Sequence, residues 1–321
     1  MPDGLAALAA LNIRLDAGQA ARFRGIRFID GQQSVEAGFP DGVGYGIRRT
    51  LLHRCMAERA EQCGVALHWG RRITGLSDDG LVVEGRIVSS RWLICADGQN
   101  SRLRKLAGLD PATPPRYRYG FRRHYCVAPW SNFVEVHWSD CGQMYVTPVG
   151  EDQVCVALIT GRKALRFDTA LATFPQLAAR LGHAAIMGDT VGAVSASRTL
   201  HCVHSGRLAL VGEAAGSVDA VTGEGLAIAF RQAIALADAL RAGDLTLYEK
   251  AHSEITRVPR RMAALMLMMD NRRWLRERAL RALSAEPSFF RRMLAVHTGR
   301  LSPVELGIGA GVSFGWRLLT A

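Results

Sequence analysis

Residues 206–240 read GRLALVGEAAGSVDAVTGEGLAIAFRQAIALADAL, and this stretch decides the fold. The apolar run from Leu208 to Val211 reads as a short buried strand that ends at Gly212. Glu213 then stands where a carboxylate points off the strand's C-terminal edge, and Gly223 and Gly225 open an alanine-rich helix running to about Arg241. In open α/β sheets ligands lie outside the carboxyl ends of the strands, and the free amides of a helix N-terminus favour an anionic or electron-rich group. Glycines at such a junction keep the approach clear of side chains. Each part alone is an ordinary strand, loop and helix; the whole string is far more specific.

A second junction lies upstream. Residues 93–109, LICADGQNSRLRKLAGL, run from an apolar strand expected to be fully buried and parallel into Ala96-Asp97-Gly98, then into a helix carrying Ser101 and Arg104. Asp97 can accept hydrogen bonds from ribose hydroxyls, water or amides. Taken alone, a strand followed by Asp-Gly is also a common turn.

Between the two junctions the apolar period becomes two. FVEVHW at 133–138 sends Val134, Val136 and Trp138 to one face and Glu135 and His137 to the other, which such alternation turns to water. QMYVTPV and QVCVALIT follow after glycine-containing turns, so an antiparallel meander is expected. The fold class is therefore α/β, a Rossmann-like domain made of residues 1–110 and 201–250, with an inserted β domain at 111–200 and a helical segment at 251–321. His124, His137, Trp138 and Tyr145 are the candidate pocket residues of the β domain, and no catalytic residue is assigned.

The flanking pattern predicts helices over 1–15, 47–64 and 164–181, and one or two strands over 23–35. It also predicts a strand over 65–69 and a hairpin over 73–88 around Asp78-Asp79-Gly80. In the 47–64 helix, Leu51, Leu52, Met56, Ala60 and Cys63 form one stripe and Gly64 suits the C-terminal cap. The glycines at 42, 44 and 46 do not follow an apolar strand and read as a loop.

The two junctions together resemble the downstream fingerprints of the flavoprotein family that contains geranylgeranyl reductases and aromatic hydroxylases. The central fingerprint, ADGxxSxxR, is matched at Ala96, Asp97, Gly98, Ser101 and Arg104. The next, GDAAGxxDPxTGEGI, is matched at Gly212, Ala214, Ala215, Gly216, Asp219, Thr222, Gly223, Glu224 and Gly225. It departs at Glu213 for aspartate, Ala220 for proline and Leu226 for isoleucine.

The resemblance implies FAD as cofactor and NAD(P)H as electron donor. It places Glu213 at the ribityl hydroxyls, Gly223 and Gly225 at the pyrimidine edge of the isoalloxazine, Asp97 and Gly98 near the pyrophosphate and ribose, and Arg49, with Arg48 as the alternative, at the cofactor. It further implies hydride transfer onto a double bond of a lipophilic substrate, because Gly216 and Glu224 stand where the hydroxylases of the family carry histidine and glutamine. A monooxygenase using NAD(P)H and oxygen is the alternative, and a non-catalytic, ligand-binding remnant the second.

This fold should open with a strand and a GxGxxG turn. No such string occurs in the chain, so the first βαβ unit is expected to be missing, through truncation or a misplaced start.

The 321 residues, 49% of them apolar, suffice for two lobes. The net charge of +11 is nearly all arginine spread along the chain, with lysine at Lys105, Lys163 and Lys250 alone, which argues against nucleic acid. The densest stretch, Arg257 to Arg300, reads as a solvated helix face, with peripheral membrane contact as the alternative. Neither Met262–Met269 nor the glycine-rich Leu306–Trp316 reaches the roughly 18 apolar residues of a span, so the expected location is cytoplasmic. Seven cysteines scattered singly, with no CxxC pair, predict neither a zinc nor a disulfide framework and no metal.

Overall fold

A computed structural model describes residues 1–305 of the chain apart from 16, 17, 19, 112 and 114. Helix α1 (Pro2–Ala10) leads into β1 (Ala20–Phe23), β2 (Gly25–Asp30), β3 (Gln33–Gly38), β4 (Gly44–Ile47) and α2 (Arg49–Gln62). A small meander follows, β5 (Ile73–Ser77), β6 (Gly80–Val83) and β7 (Arg86–Ser89), then β8 (Leu93–Cys95) and α3 (Arg102–Leu106). The β domain contributes β9 (Arg116–Cys126), β10 (Val134–Ser139), β11 (Gly142–Gly150), β12 (Gln153–Thr160), α4 (Phe167–Leu171), α5 (Pro175–Leu181) and β13 (Ala185–Ser197). The chain returns through β14 (His204–Ser205) and β15 (Leu208–Leu210) to α6 (Gly225–Ala242), α7 (Leu245–Asn271), α8 (Arg273–Ala285) and α9 (Pro287–His297).

The two fingerprint strands are neighbours. β15 pairs parallel with β8, Leu208 opposite Leu93 and Leu210 opposite Cys95, and the Val211 amide donates to the Cys95 carbonyl at 3.0 Å. β14 closes the other side of β15 as an antiparallel hairpin. β8 is the edge of this sheet among the described residues, and Ile94 is 40% exposed, so the strand is parallel as expected but not fully buried.

The large sheet has the order β13-β9-β12-β11-β10-β2-β3. It differs from a pure meander in that β2, from the 1–110 segment, pairs parallel with β10. Strict alternation along β12 buries Val154, Val156 and Leu158 against Phe167, Phe174 and Leu177 of the α4–α5 region. Each such side chain contributes about 1.5–3 kcal/mol. That cover corrects the reading of His137, which is buried on this face beside Glu135, its Nε2 3.1 Å from Glu135 Oε2, and does not face water. The β13 strand has no counterpart in the sequence reading because its largely exposed residues carry little apolar period.

Several local expectations are also corrected. Gly44 and Gly46 belong to strand β4, paired with β1, and a Cβ on Gly46 would lie 1.7 Å from the Pro148 carbonyl. Gly46 serves close approach of β4 to β11 and Gly44 makes room for the Phe23 ring of β1, so neither belongs to a loop. Residues 65–69 form no strand, and Val65 and Trp69 are exposed. Gly64 takes the left-handed conformation beyond α2, as its cap role requires, but of the predicted stripe only Leu52 is buried. No helix of the described residues is long and apolar enough to cross a membrane, and the run Leu306–Trp316 lies outside them.

Candidate functional site

At the head of β8, Asp97 Oδ2 accepts the Arg102 and Leu103 amides at 3.0 and 3.3 Å, and Ser101 Oγ accepts the Arg104 amide at 2.9 Å. Both residues thereby cap α3, satisfying amides that have no partner within the helix. Arg104 is fully buried: Nη1 donates to the Ala214 carbonyl at 3.1 Å, Nη2 to the Gln99 carbonyl at 3.1 Å and Nε to Asp110 at 2.6 Å. The guanidinium holds the Asp110 carboxyl below the usual carboxylate range. The arginine of the first fingerprint therefore fixes the loop of the second.

That loop is tied from behind as well. The Gly212 amide donates to the Gln232 side-chain oxygen at 2.8 Å, and Gly212 has φ +65. Ala214 and Ala215 are buried, and Glu213 is left exposed at the strand edge. Arg49 stands at the first turn of α2; burial lowers its pKa while the nearby Glu213 carboxylate raises it. Arg48 is turned to Gln153 at 3.5 Å, so of the two candidate arginines Arg49 is the one that shares the site with Glu213.

Asp219 shapes the turn before α6. Its Oδ1 accepts the Val221 amide at 3.1 Å, its Oδ2 accepts the Ser197 hydroxyl at 3.1 Å, and Gly223 follows in the left-handed region at φ +66. Tyr145 of β11 ties the sheet to the same turn, its Oη 2.7 Å from the Val221 carbonyl. No neighbour lies within 4 Å of a Cβ built on Gly98, Gly223 or Gly225.

Gly223 borders a cavity of about 520 Å³. Thr222 and Gly223 form one side, Val136, Tyr145 and Thr147 the sheet side, and Met262, Met266, Met269 and Met293 the helical side. His124 also lines it, its pKa lowered first by burial and then by Arg48 and Arg122. Trp138 is buried outside the cavity with its ring edge against Phe28, and His137 lies on the far face of the sheet.

One wall holds a pair that the sequence reading did not assign. His297, at the end of α9, places Nδ1 3.4 Å from Glu224 Oε2, and neither atom has a hydrogen-bond partner. Burial and the Asp3 carboxylate push Glu224 up to about 8, while burial pulls His297 down to about 4. At neutral pH both are uncharged, and the contact is not an ion pair. Glu224 carried a family signal; His297 had none, because the contact joins residues far apart in the chain.

The residues present fit the isoalloxazine and ribityl half of FAD. Bare glycine surface lies at the start of α6, helix-end amides point outward there, and Glu213 with Arg49 offers one acceptor and one donor beside it. Ala96, Asp97 and Gly98 stand at the adjoining strand end, where Gly98 takes φ +80.

Comparison with known proteins shows the family of the chain. The family described as FAD binding domain matches residues 44–264. The digeranylgeranylglycerophospholipid reductase of Methanosarcina acetivorans is 26% identical over 246 residues, covering 67% of this chain and 60% of that protein. The chain thus spans less than two thirds of that relative's length. Among solved structures, a flavoprotein/dehydrogenase from Cytophaga hutchinsonii superposes with a TM-score of 0.78 at 15% identity, covering 99% of this chain and 86% of that one. A geranylgeranyl bacteriochlorophyll reductase-like protein from Thermoplasma acidophilum gives 0.67 at 15% identity, covering 96% and 83%. At such identities the structural likeness is one of fold.

Proposed function

The chain belongs to the FAD binding domain family, and from that premise we propose that it is a flavin-dependent oxidoreductase of the geranylgeranyl-reductase type, acting on a lipophilic substrate. The observation that carries the reading is the apolar, methionine-rich cavity that opens directly onto Thr222 and Gly223 at the start of α6. FAD, when bound, would supply the hydride for one carbon of an activated double bond, water the proton for the other, and NAD(P)H would be the reductant of FAD.

The remaining work belongs to the chain's own residues. Glu213 and Arg49 hold the ribityl hydroxyls, Ala96, Asp97, Gly98, Gly212 and Ala214 shape the strand ends beneath them, and Gly223 and Gly225 let the ring system approach the α6 amides. The helix-end dipoles of α6 would favour negative charge placed beside them. The methionine side chains adapt to a flexible isoprenoid chain and exclude water. Residues 1–110, apart from β2 and β3, with 201–250 form the cofactor part, 111–200 with the added strands β2 and β3 the substrate sheet, and 251–297 the helical wall.

Leu265 and Met268 line the cavity and are 43% and 42% exposed, and Trp274 nearby is 55% exposed. Flanked by the exposed Arg261, Arg272 and Arg273, this rim is suited to load substrate from an anionic bilayer surface.

The test uses the purified chain with added FAD, anaerobic NAD(P)H and a geranylgeranyl-bearing lipid, followed by an oxygen pulse. Gain of two hydrogens per reduced double bond supports the reading. Insertion of oxygen into the substrate overturns it in favour of a monooxygenase, and failure to bind flavin in favour of a non-catalytic ligand-binding protein.

A further inference from the structure

Cys202 and His204 flank the buried Val203 in the segment that enters β14, and the Cys202 thiol donates to the His204 carbonyl at 3.0 Å. The first turns of α7 bring Glu249 to the same place. His204 Nε2 stands 3.7 Å from Glu249 Oε2, and one ligand atom from each of Cys202, His204 and Glu249 lies within 4.8 Å of the other two. All three residues are half-buried.

A zinc ion holds a thiolate at about 2.3 Å and imidazole or carboxylate atoms at about 2.0–2.2 Å, so a tetrahedral site separates its ligand atoms by roughly 3.4–3.6 Å. The histidine–glutamate edge already has nearly this length. The same carboxylate oxygen accepts the Val203 amide at 3.4 Å. A partner of this kind is what orients a metal-binding carboxylate. The soft sulfur with one imidazole and one carboxylate selects zinc over magnesium or calcium.

We propose that Cys202, His204 and Glu249 form a three-ligand zinc site, completed by a water molecule, that staples α7 to β14. The site lies outside the apolar cavity, so it stands independently of the flavin reading. Its consequence reaches the cofactor edge through the fold. β14 pairs with β15, and Tyr248, next to Glu249, donates to the Leu210 carbonyl at 2.7 Å, just before Gly212.

The full chain, stripped with a chelator, is titrated with Co²⁺ as a spectroscopic stand-in. The expected result is one equivalent bound with a thiolate-to-cobalt charge-transfer band, displaced by Zn²⁺, and a Zn²⁺-dependent rise in the thermal midpoint. Cys202→Ser abolishes band and rise, His204→Gln and Glu249→Gln each weaken binding about tenfold or more, and Cys63→Ser and Cys126→Ser, at exposed thiols, change neither. Absence of the band at stoichiometric cobalt, or its survival in Cys202→Ser, overturns the proposal. Should Cys202→Ser fail to fold, unaltered affinity in both His204→Gln and Glu249→Gln overturns it as well.

Discussion

The guanidinium of Arg104 and the carbonyl of Ala214, 110 positions apart in the chain, are joined by a hydrogen bond of 3.1 Å in the buried interior. The arginine of the ADGxxSxxR fingerprint is thus a brace between the two strand ends that form the site. With a fully buried charge satisfied by two carbonyls and Asp110, the brace is costly to break on one side alone.

Replacing Arg104 with leucine removes all three bonds, leaves the buried Ala214 carbonyl without its donor and takes the ion-pair partner from Asp110, while the Gln99 carbonyl keeps Arg198. The expected loss is about 3 kcal/mol of unfolding free energy in urea titration. Lysine does not rescue it, since a single ammonium cannot span three acceptors set around a planar fork. Full stability in Arg104→Leu would show that the two fingerprints hold together without this contact.

Gly223→Ala separates backbone strain from ligand approach. The left-handed φ of +66 costs an L-residue about 1–2 kcal/mol, with no steric clash because the space around the added Cβ is open. Flavin affinity, followed by fluorescence quenching, is expected to fall by more than that stability loss accounts for. Equal affinity in the variant would place the flavin elsewhere.

Stability should follow pH through Glu224 and His297. A carboxyl raised to about 8 from 4.5 favours the fold at low pH and loses that contribution as pH climbs through 8. A histidine lowered to about 4 from 6.5 favours the fold above 6.5 and loses that contribution as pH falls through 4. The slopes oppose one another between 4.5 and 6.5. Above that window and up to about 8, unfolding free energy is expected to fall by at most about 1.4 kcal/mol per pH unit. Asp3, Arg231 and the Met1 amino group also face the pair and modulate the slope. In Glu224→Gln the fall above the window disappears; a fall of unchanged size in that variant would assign it to other groups.

The rim of the cavity gives a binding prediction. Flotation with vesicles containing an anionic lipid should capture the chain at low salt and release it as salt is raised, because the arginines act through a screened field. Trp274→Ala should weaken capture several-fold and leave folding intact, the indole being more than half exposed. Capture by neutral vesicles at equal strength would remove the role of the arginines.

Much of the site was legible because its residue types have local causes. The α6 start at Gly225, the strand at 208–210 and the paired identity of 93–98 with 208–216 follow from apolar runs stopped by glycine, which act within a few residues. The His137 environment was not legible, since alternation gives the two faces of a strand but not what covers them; α4 and α5 cover the second face here. Nor did spacing reveal that Gly46 serves a contact with Pro148 across two strands.

By itself the sequence determined which segments end in glycine at a strand's carboxyl edge, and hence where a ligand can be met, because backbone conformation is set by the residue that adopts it. The tertiary structure alone decided that Arg104 braces Ala214, that Glu224 meets His297 and that Cys202 and His204 meet Glu249. Those partners are distant along the chain, and their chemistry depends on burial and separation, which exist only once the strands and helices have packed.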